Sequence, residues 1–330
     1  MRELTAEIVV DGLVPRHPVL SPDGRLVSYV LASVNAPDSL WVAEIDGPAR
    51  RVMEGDRPRW SADSGSLFFL SDRVLHRLSL GDGTVTALTD RADGVRDHVP
   101  LAGSALVALI TGEEPPEGIV VVGRDEPRAR LRLLDPGSGR IGTPDVFAGR
   151  HVVELRERPG GGPLAVLTQG SADNDYGPRT GRLHLFDPGT GAVEELGPVE
   201  ACAGSLAWWP EEDGWHLGYV ALTPPLLQAG NAVFDLALAG RVRRNRTAGL
   251  TMCPTELCQT GGAPLVVLAG GLDTTLARLD LAGLTILSRH PGKLSGLTAA
   301  GASVAALAGG RYRGTDVHVG SPDGPLRRVT

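Results

Sequence analysis

Over most of the chain, apolar and polar residues alternate in short runs, and each run ends on a cluster of Gly, Asp, Pro or Ser. The stretch HPVLSPDGRLVSYV at 17–30 shows the unit: an apolar strand, a tight turn on Ser-Pro-Asp-Gly, and a second strand. Period-two alternation gives each strand one face for a core and one for a neighbour or water. No stretch carries the helical period over three turns. The pattern predicts an all-β chain of hairpins.

The hairpins repeat. A strand–turn–strand marker reads SLWVAEIDGPARRVM from 39, RVLHRLSLGDGTVTALT from 73, ARLRLLDPGSGRIGTP from 129 and GRLHLFDPGTGAVEEL from 181. It continues as NAVFDLALAGRVRRN from 231, TTLARLDLAGLTILS from 274 and TDVHVGSPDGPLRRVT from 315. Another strand pair precedes each marker. The clearest copies are HPVLSPDGRLVSYV and RPRWSADSGSLFFL, where Asp23 and Asp63 share a place and Leu20 matches Trp60. Weaker copies begin near Asp97, Glu154, Ser205, Thr255 and Leu294. Each unit therefore holds four strands, with units near 13–54, 55–92, 93–148, 149–199, 200–248, 249–290 and 291–330. A four-stranded sheet cannot bury both faces alone, whereas sheets stacked around an axis cover one another and leave only short edges. The expected architecture is one domain over 1–330, a seven-bladed β-propeller of four-stranded antiparallel blades. The last unit supplies its own fourth strand, so closure is expected without strand exchange, by packing of the last blade on the first.

The segment SPDGRLVSY resembles the PD40 (TolB-like) propeller repeat, which is WD40-like in architecture. The opening VDGLVPRHPVLSPDGRLVSYV, with the closing SPDGPLRRVT, resembles the propeller domain of prolyl oligopeptidase family peptidases, especially the acylaminoacyl-peptidase and dipeptidyl-peptidase branches. The likeness covers the chain as architecture, and its motifs are specific in the first, second and seventh units. It implies a module that gates substrate beside an α/β-hydrolase domain carrying a G-x-S-x-G nucleophile elbow. The nearest approaches to that motif, AGSAL from 102, PGSGR from 136 and AGSLA from 203, lack the flanking pattern and fall in hairpins or strands. No catalytic serine is carried over, so peptidase activity by this chain alone is not expected. The chain ends where the hydrolase domain would begin, and it is expected to be either part of a larger peptidase or a free-standing relative.

Composition narrows the classes. With 42% hydrophobic and 22% charged residues the chain can bury a sizeable core. A net charge of −7 argues against a general nucleic-acid binder, and the basic RVRRNR at 241–246 reads as a solvated hairpin edge. The opening MRELTAEIVVDG has no apolar run long enough for a secretory signal or a membrane span, so a cytoplasmic location is expected. Three cysteines suit a reducing compartment, and Cys253 and Cys258 read as buried thiols, without zinc-ligand spacing.

In a propeller only the innermost strands converge. Aligning the units on the Asp-Gly turn puts His17, Arg57, Asp97 and Glu154 on one ring, followed by Ser205, Thr255 and Leu294. Arg59, Arg96, His98, Arg150, His151 and Glu256 lie one or two residues away. The candidate ligand-binding set is His17, Arg57, Arg59, Asp97, His98, His151, Glu154 and Glu256. Arginine forks suit a carboxylate, and a histidine can change charge near neutral pH, so the set suits an anionic or zwitterionic small molecule or peptide. Alternation can turn His98 and His151 into the sheet instead. His76, His184, His216 and His318 fall in middle or outer strands and read as packing or surface residues. His17, Asp97 and Glu154 are metal-ligand types but are scattered, and no metal or cofactor is expected.

The leading expectation is a non-catalytic module that binds or sieves peptides or docks a partner hydrolase. The alternative is a stand-alone propeller enzyme, a lyase, lactonase or isomerase, using channel His, Arg and carboxylates for acid–base work. A third reading is an interaction scaffold working through its rim loops, of which TGEEPPEGIVVVGRDEPRAR from 111 and QGSADNDYGPRTG from 169 are the longest.

Overall fold

A computed structural model describes residues 12–112, 127–144, 146–147, 149–223, 230–310 and 313–330. It holds seven separate four-stranded sheets, each a simple antiparallel meander in chain order. Their strands span 14–54, 56–87, 95–142, 151–198, 204–245, 253–290 and 293–328, called blades 1 to 7 below. The only helices among the described residues are two single 3₁₀ turns, Arg91–Asp93 and Gly177–Arg179. No helix among them is long and apolar enough to cross a membrane. The seven-bladed all-β propeller expected from the hairpin repeat is the observed fold.

Burial is graded from the axis outward, and this explains the sequence pattern of each strand. The second strands, such as Val107–Gly112 and Leu164–Gln169, are almost wholly buried and read as continuous apolar runs. They sit between two neighbouring blades and need an apolar side chain on both faces. The outermost strands hold no buried residue, and Val85–Ala87 is exposed over its whole length.

The apolar core is divided into seven clusters, one at each blade interface. Val30, Leu40 and Val42 of blade 1 meet Trp60, Leu67 and Phe69 of blade 2, for example. Trp60 adds a directional contact, because its indole N–H donates to the Val19 carbonyl of blade 1 at 3.0 Å. Trp208 of blade 5 repeats this on the Arg156 carbonyl of blade 4, also at 3.0 Å, so it is the equivalent of Trp60.

The aspartates shared by the repeats shape the turns. Asp23 accepts from the Ser21 hydroxyl at 2.6 Å and the Arg25 N–H at 3.1 Å, and Asp63 accepts from Ser61 and the Gly65 N–H. The Ser21 hydroxyl and the Arg25 N–H hold the Asp23 carboxyl below the usual carboxylate range.

Among the described residues blade 7 and blade 1 remain two separate sheets, and no strand is exchanged between them. Leu20, Val27, Tyr29 and Ala43 pack there on Ala305, Val317 and Val319. Thr298 bridges the two inner strands: its hydroxyl donates to the Pro18 carbonyl at 3.2 Å and accepts from the Leu20 N–H at 3.3 Å. Arg327 reaches back to the Ile45 carbonyl and pairs with Asp46.

Thr298→Val keeps the volume but leaves the buried Leu20 N–H without its acceptor. The expected result is a loss of about 1–2 kcal/mol in urea unfolding with an unchanged m-value. An unchanged midpoint would show that the Thr298 bridge does not strengthen the seam.

Candidate functional site: the axial channel

The inner strands line the axis, and all seven carry one extra residue relative to the strand they pair with. The irregularity falls at His17–Pro18, Arg57–Pro58, Arg96, Val153, Ser205–Leu206, Thr255 and Gly296–Leu297. At four of these the backbone enters the left-handed region, with φ of 47° at His17, 51° at Arg57, 55° at Ser205 and 62° at Gly296. Such bulges break the ladder and leave backbone N–H groups that need other acceptors.

The bulges set the true ring. His17, Arg57, Asp97, Glu154 and Ser205 occupy equivalent positions, as the turn alignment gives. In blades 6 and 7 the register instead brings Glu256 and Gly296 to the ring, in place of Thr255 and Leu294. The turns of these blades differ in length from Ser-Pro-Asp-Gly, so an alignment anchored on that turn slips there.

Most of the polar atoms on this ring reach the next blade. His17 Nδ1 lies 2.7 Å from Asp56 Oδ1, and Arg57 and Arg59 approach Asp97 Oδ2 at 3.8 and 3.5 Å. Glu154 Oε1 accepts the bulge N–H of Leu206 at 2.8 Å. Glu256 accepts those of Gly296 and Leu297 at 2.8 and 3.0 Å. Burial pushes the Asp56 carboxyl up, but the bond to His17, the Arg57 N–H and the charges of both residues together outweigh it, and the carboxyl stays below its usual range. Asp97 behaves alike, with Arg59 the main opposing charge to its burial.

The two remaining candidates sit differently. His151 Nδ1 accepts the Ala129 N–H of blade 3 at 2.9 Å, at the start of its strand. His98 is wholly buried, turned by alternation into the packing between blades. Arg150, noted beside the ring, donates to Thr168 and to the Thr180 carbonyl.

Two residues further along the inner strands the channel widens into a cavity of about 330 Å³ lined by Arg59, Arg156, Glu157, Arg158, Gln259 and Thr298, among others. A cavity of about 1170 Å³ also lies where blades 6, 7 and 1 meet, lined by Val14, Asp273, His290, Arg313, Asp316 and His318 among others. In the axial cavity Gln259 ties three blades together, accepting the Trp208 N–H at 3.0 Å and donating to the Glu157 carbonyl at 3.1 Å. Glu157 accepts the Ala102 N–H, and burial pushes its carboxyl up. Arg158 lies over the Trp215 ring at 5.2 Å. The Nε atoms of Arg59 and Arg156 are buried and make no hydrogen bond among the described residues.

Three guanidinium groups thus line this tier beside Glu157, Arg59 and Arg156 each also 3.5 Å from a ring carboxylate, Asp97 and Glu154, and their remaining N–H groups suit an anion. Arg59 was legible in sequence; Arg156, Glu157, Arg158 and Gln259 were not singled out. Reading the ring alignment two residues onward would have found Arg156, the counterpart of Arg59. Of the two long loops, residues 113–126 lie outside the described residues, and the 169–181 loop contains the turn Gly177–Arg179.

Two outcomes follow for the ring. Glu256→Ala removes the acceptor for two N–H groups and is expected to cost about 3 kcal/mol in urea unfolding, with Glu256→Gln costing less. Burial lowers the His98 pKa to about 4, below the unfolded value of 6.5, so the fold favours the neutral ring. That contribution is fully present above pH 6.5 and is lost as pH falls toward 4, about 3 kcal/mol in all. His98→Leu is expected to flatten the acid side of the stability–pH curve; a curve parallel to the wild type would contradict it.

No protein-family model and no curated protein matches the chain. Solved structures do. The Pyrococcus horikoshii acylaminoacyl peptidase aligns with a TM-score of 0.74 at 13% identity, over 98% of this chain and 53% of that one. A Mycobacterium tuberculosis puromycin-hydrolyzing peptidase aligns at 0.71 and 18%, over 98% and 54%. The β-propeller domain of the Trilobed protease from Pyrococcus furiosus, described as having an open velcro topology, aligns at 0.70 and 13%, over 96% and 98%. The chain spans about half the length of the two whole peptidases and nearly all of the isolated propeller. Its fold is that of the propeller domains of oligopeptidase-type peptidases.

Proposed function

We propose that the chain is a non-catalytic propeller module that binds peptides in its axial channel by a carboxylate and so gates substrate for a hydrolase domain or subunit. The observation that carries the reading is the pair of ring-equivalent arginines, Arg59 and Arg156. Both residues line a cavity of about 330 Å³, and their buried Nε atoms have no hydrogen-bond partner among the described residues. A buried guanidinium N–H without an acceptor is costly, and a ligand carboxylate would supply one. The similarity to peptidase propellers supports the same class of ligand. Acid–base catalysis is less well supported, because His17 and Glu154, its natural carriers, are engaged with Asp56 and Leu206 of the next blades.

Fluorescence anisotropy with short labelled peptides tests the reading. A peptide with a free C-terminus is expected to bind, and its C-terminal amide to bind about tenfold more weakly or worse. Arg156→Gln and Arg59→Gln should each remove about the same factor, with Arg244→Gln on the outer strand as the neutral control. Equal binding of acid and amide peptides, or unchanged affinity in both channel variants, would overturn it.

A further inference from the structure

We propose that the first hairpin of blade 5 carries a divalent-cation site formed by Glu211, Asp213 and His216. This departs from the sequence reading, which took His216 as a packing residue and expected no metal.

The inner strand Gly204–Glu211 turns through Glu212 and Asp213 into the second strand, Gly214–Leu222. The turn brings one ligand atom from each of Glu211, Asp213 and His216 within 4.8 Å of one another. His216 Nδ1 lies 2.9 Å from Asp235 Oδ2 on the third strand, a buried carboxylate. That bond fixes the tautomer with the proton on Nδ1, as outer carboxylates do for metal-binding imidazoles. Trp209 stacks on the ring at 5.7 Å between centroids and fixes its plane. Nε2 shares a hydrogen bond with Asp213 Oδ1 at 2.8 Å and lies 3.4 Å from Glu211 Oε2, and a metal bound there would replace the shared proton.

Glu211 supplies an independent sign. Its side chain is only 6% exposed. Oε1 accepts from the Trp209 indole at 3.0 Å and from Arg246 at 3.2 Å. Oε2, equally buried, has no hydrogen bond among the described residues and points at His216. Three carboxylates, Glu211, Asp213 and Asp235, surround one imidazole, and Arg246 pairs with two of them. With the imidazole uncharged, one positive charge stands against three negative ones, of which Glu211 and Asp235 are buried.

The spacing fits a metal. Two ligands on a tetrahedral zinc with bonds of about 2.0–2.1 Å stand about 3.3 Å apart, close to the 3.4 Å between His216 Nε2 and Glu211 Oε2. Asp213, half exposed on the turn, needs only a small outward rotation to reach the same edge, and its open side leaves a fourth position for water. One imidazole with two carboxylates selects zinc over calcium, which takes oxygen ligands in larger number.

The test uses the full chain without a histidine tag and with Cys202→Ser to remove the exposed thiol. Calorimetric titration with Zn²⁺ is expected to show one equivalent bound and a raised melting temperature, and Co²⁺ to give the visible bands of a tetrahedral site. Asp213→Asn, on the exposed turn, and Glu211→Gln should each weaken binding about tenfold or more. Asp187→Asn, at an exposed turn of blade 4, should leave it unchanged. Absence of stoichiometric Zn²⁺ and Co²⁺ binding, or binding unaffected by both ligand variants, would overturn the site and assign the missing positive charge to a proton on His216 Nε2.

Discussion

Face-to-face burial of one sheet against the next holds this molecule together. No blade has a core of its own; each lends one face to the blade before it and one to the blade after it, and the apolar residues fall into seven interfacial clusters. The requirement reaches down to the sequence of every second strand, which must be apolar on both sides. It also sets the demand on closure. Among the described residues the seam between blades 7 and 1 has no shared strand, so it has to be packed as well as the other interfaces, and Leu20, Tyr29, Val317 and Val319 pack it.

The same packing decides what the axis can do. Inner strands are pressed together around the channel, and each relieves its fit with one extra residue. The bulges expose N–H groups, and the acids at ring positions in blades 4 and 6 bond those of the following blade. Charge at the ring therefore joins blades. The next tier differs, because Arg59 and Arg156 retain buried N–H groups without acceptors. The proposed ligand site on the axis therefore lies one tier beyond the most charged ring.

Much of this was legible in the chain. Hairpin alternation and the Asp23 and Asp63 turns gave the repeat, and Leu20 against Trp60 gave its register, because local turn chemistry fixes these features. The site was less legible. A one-residue slip reverses which way a side chain faces, and a bulge is such a slip without a sequence signal. That is why Glu256, and not Thr255, stands on the ring, and why His98 lies inside the sheet packing while its neighbour Asp97 faces Arg59. The cluster around His216 was hidden for another reason: Asp235 and Arg246 come from later strands, and only the folded blade brings them to the EEDGWH turn.

Residue-resolved amide hydrogen exchange measures the central claim most directly, by comparing the second strands of all seven blades under native conditions. If interfacial burial closes the ring, Leu26–Ala32 of blade 1 and Ser303–Gly310 of blade 7 will be protected to the same degree as Leu164–Gln169 of blade 4. Exchange in blades 1 and 7 faster by orders of magnitude, with blades 3 to 5 still protected, would mean that the ring stands open at the seam.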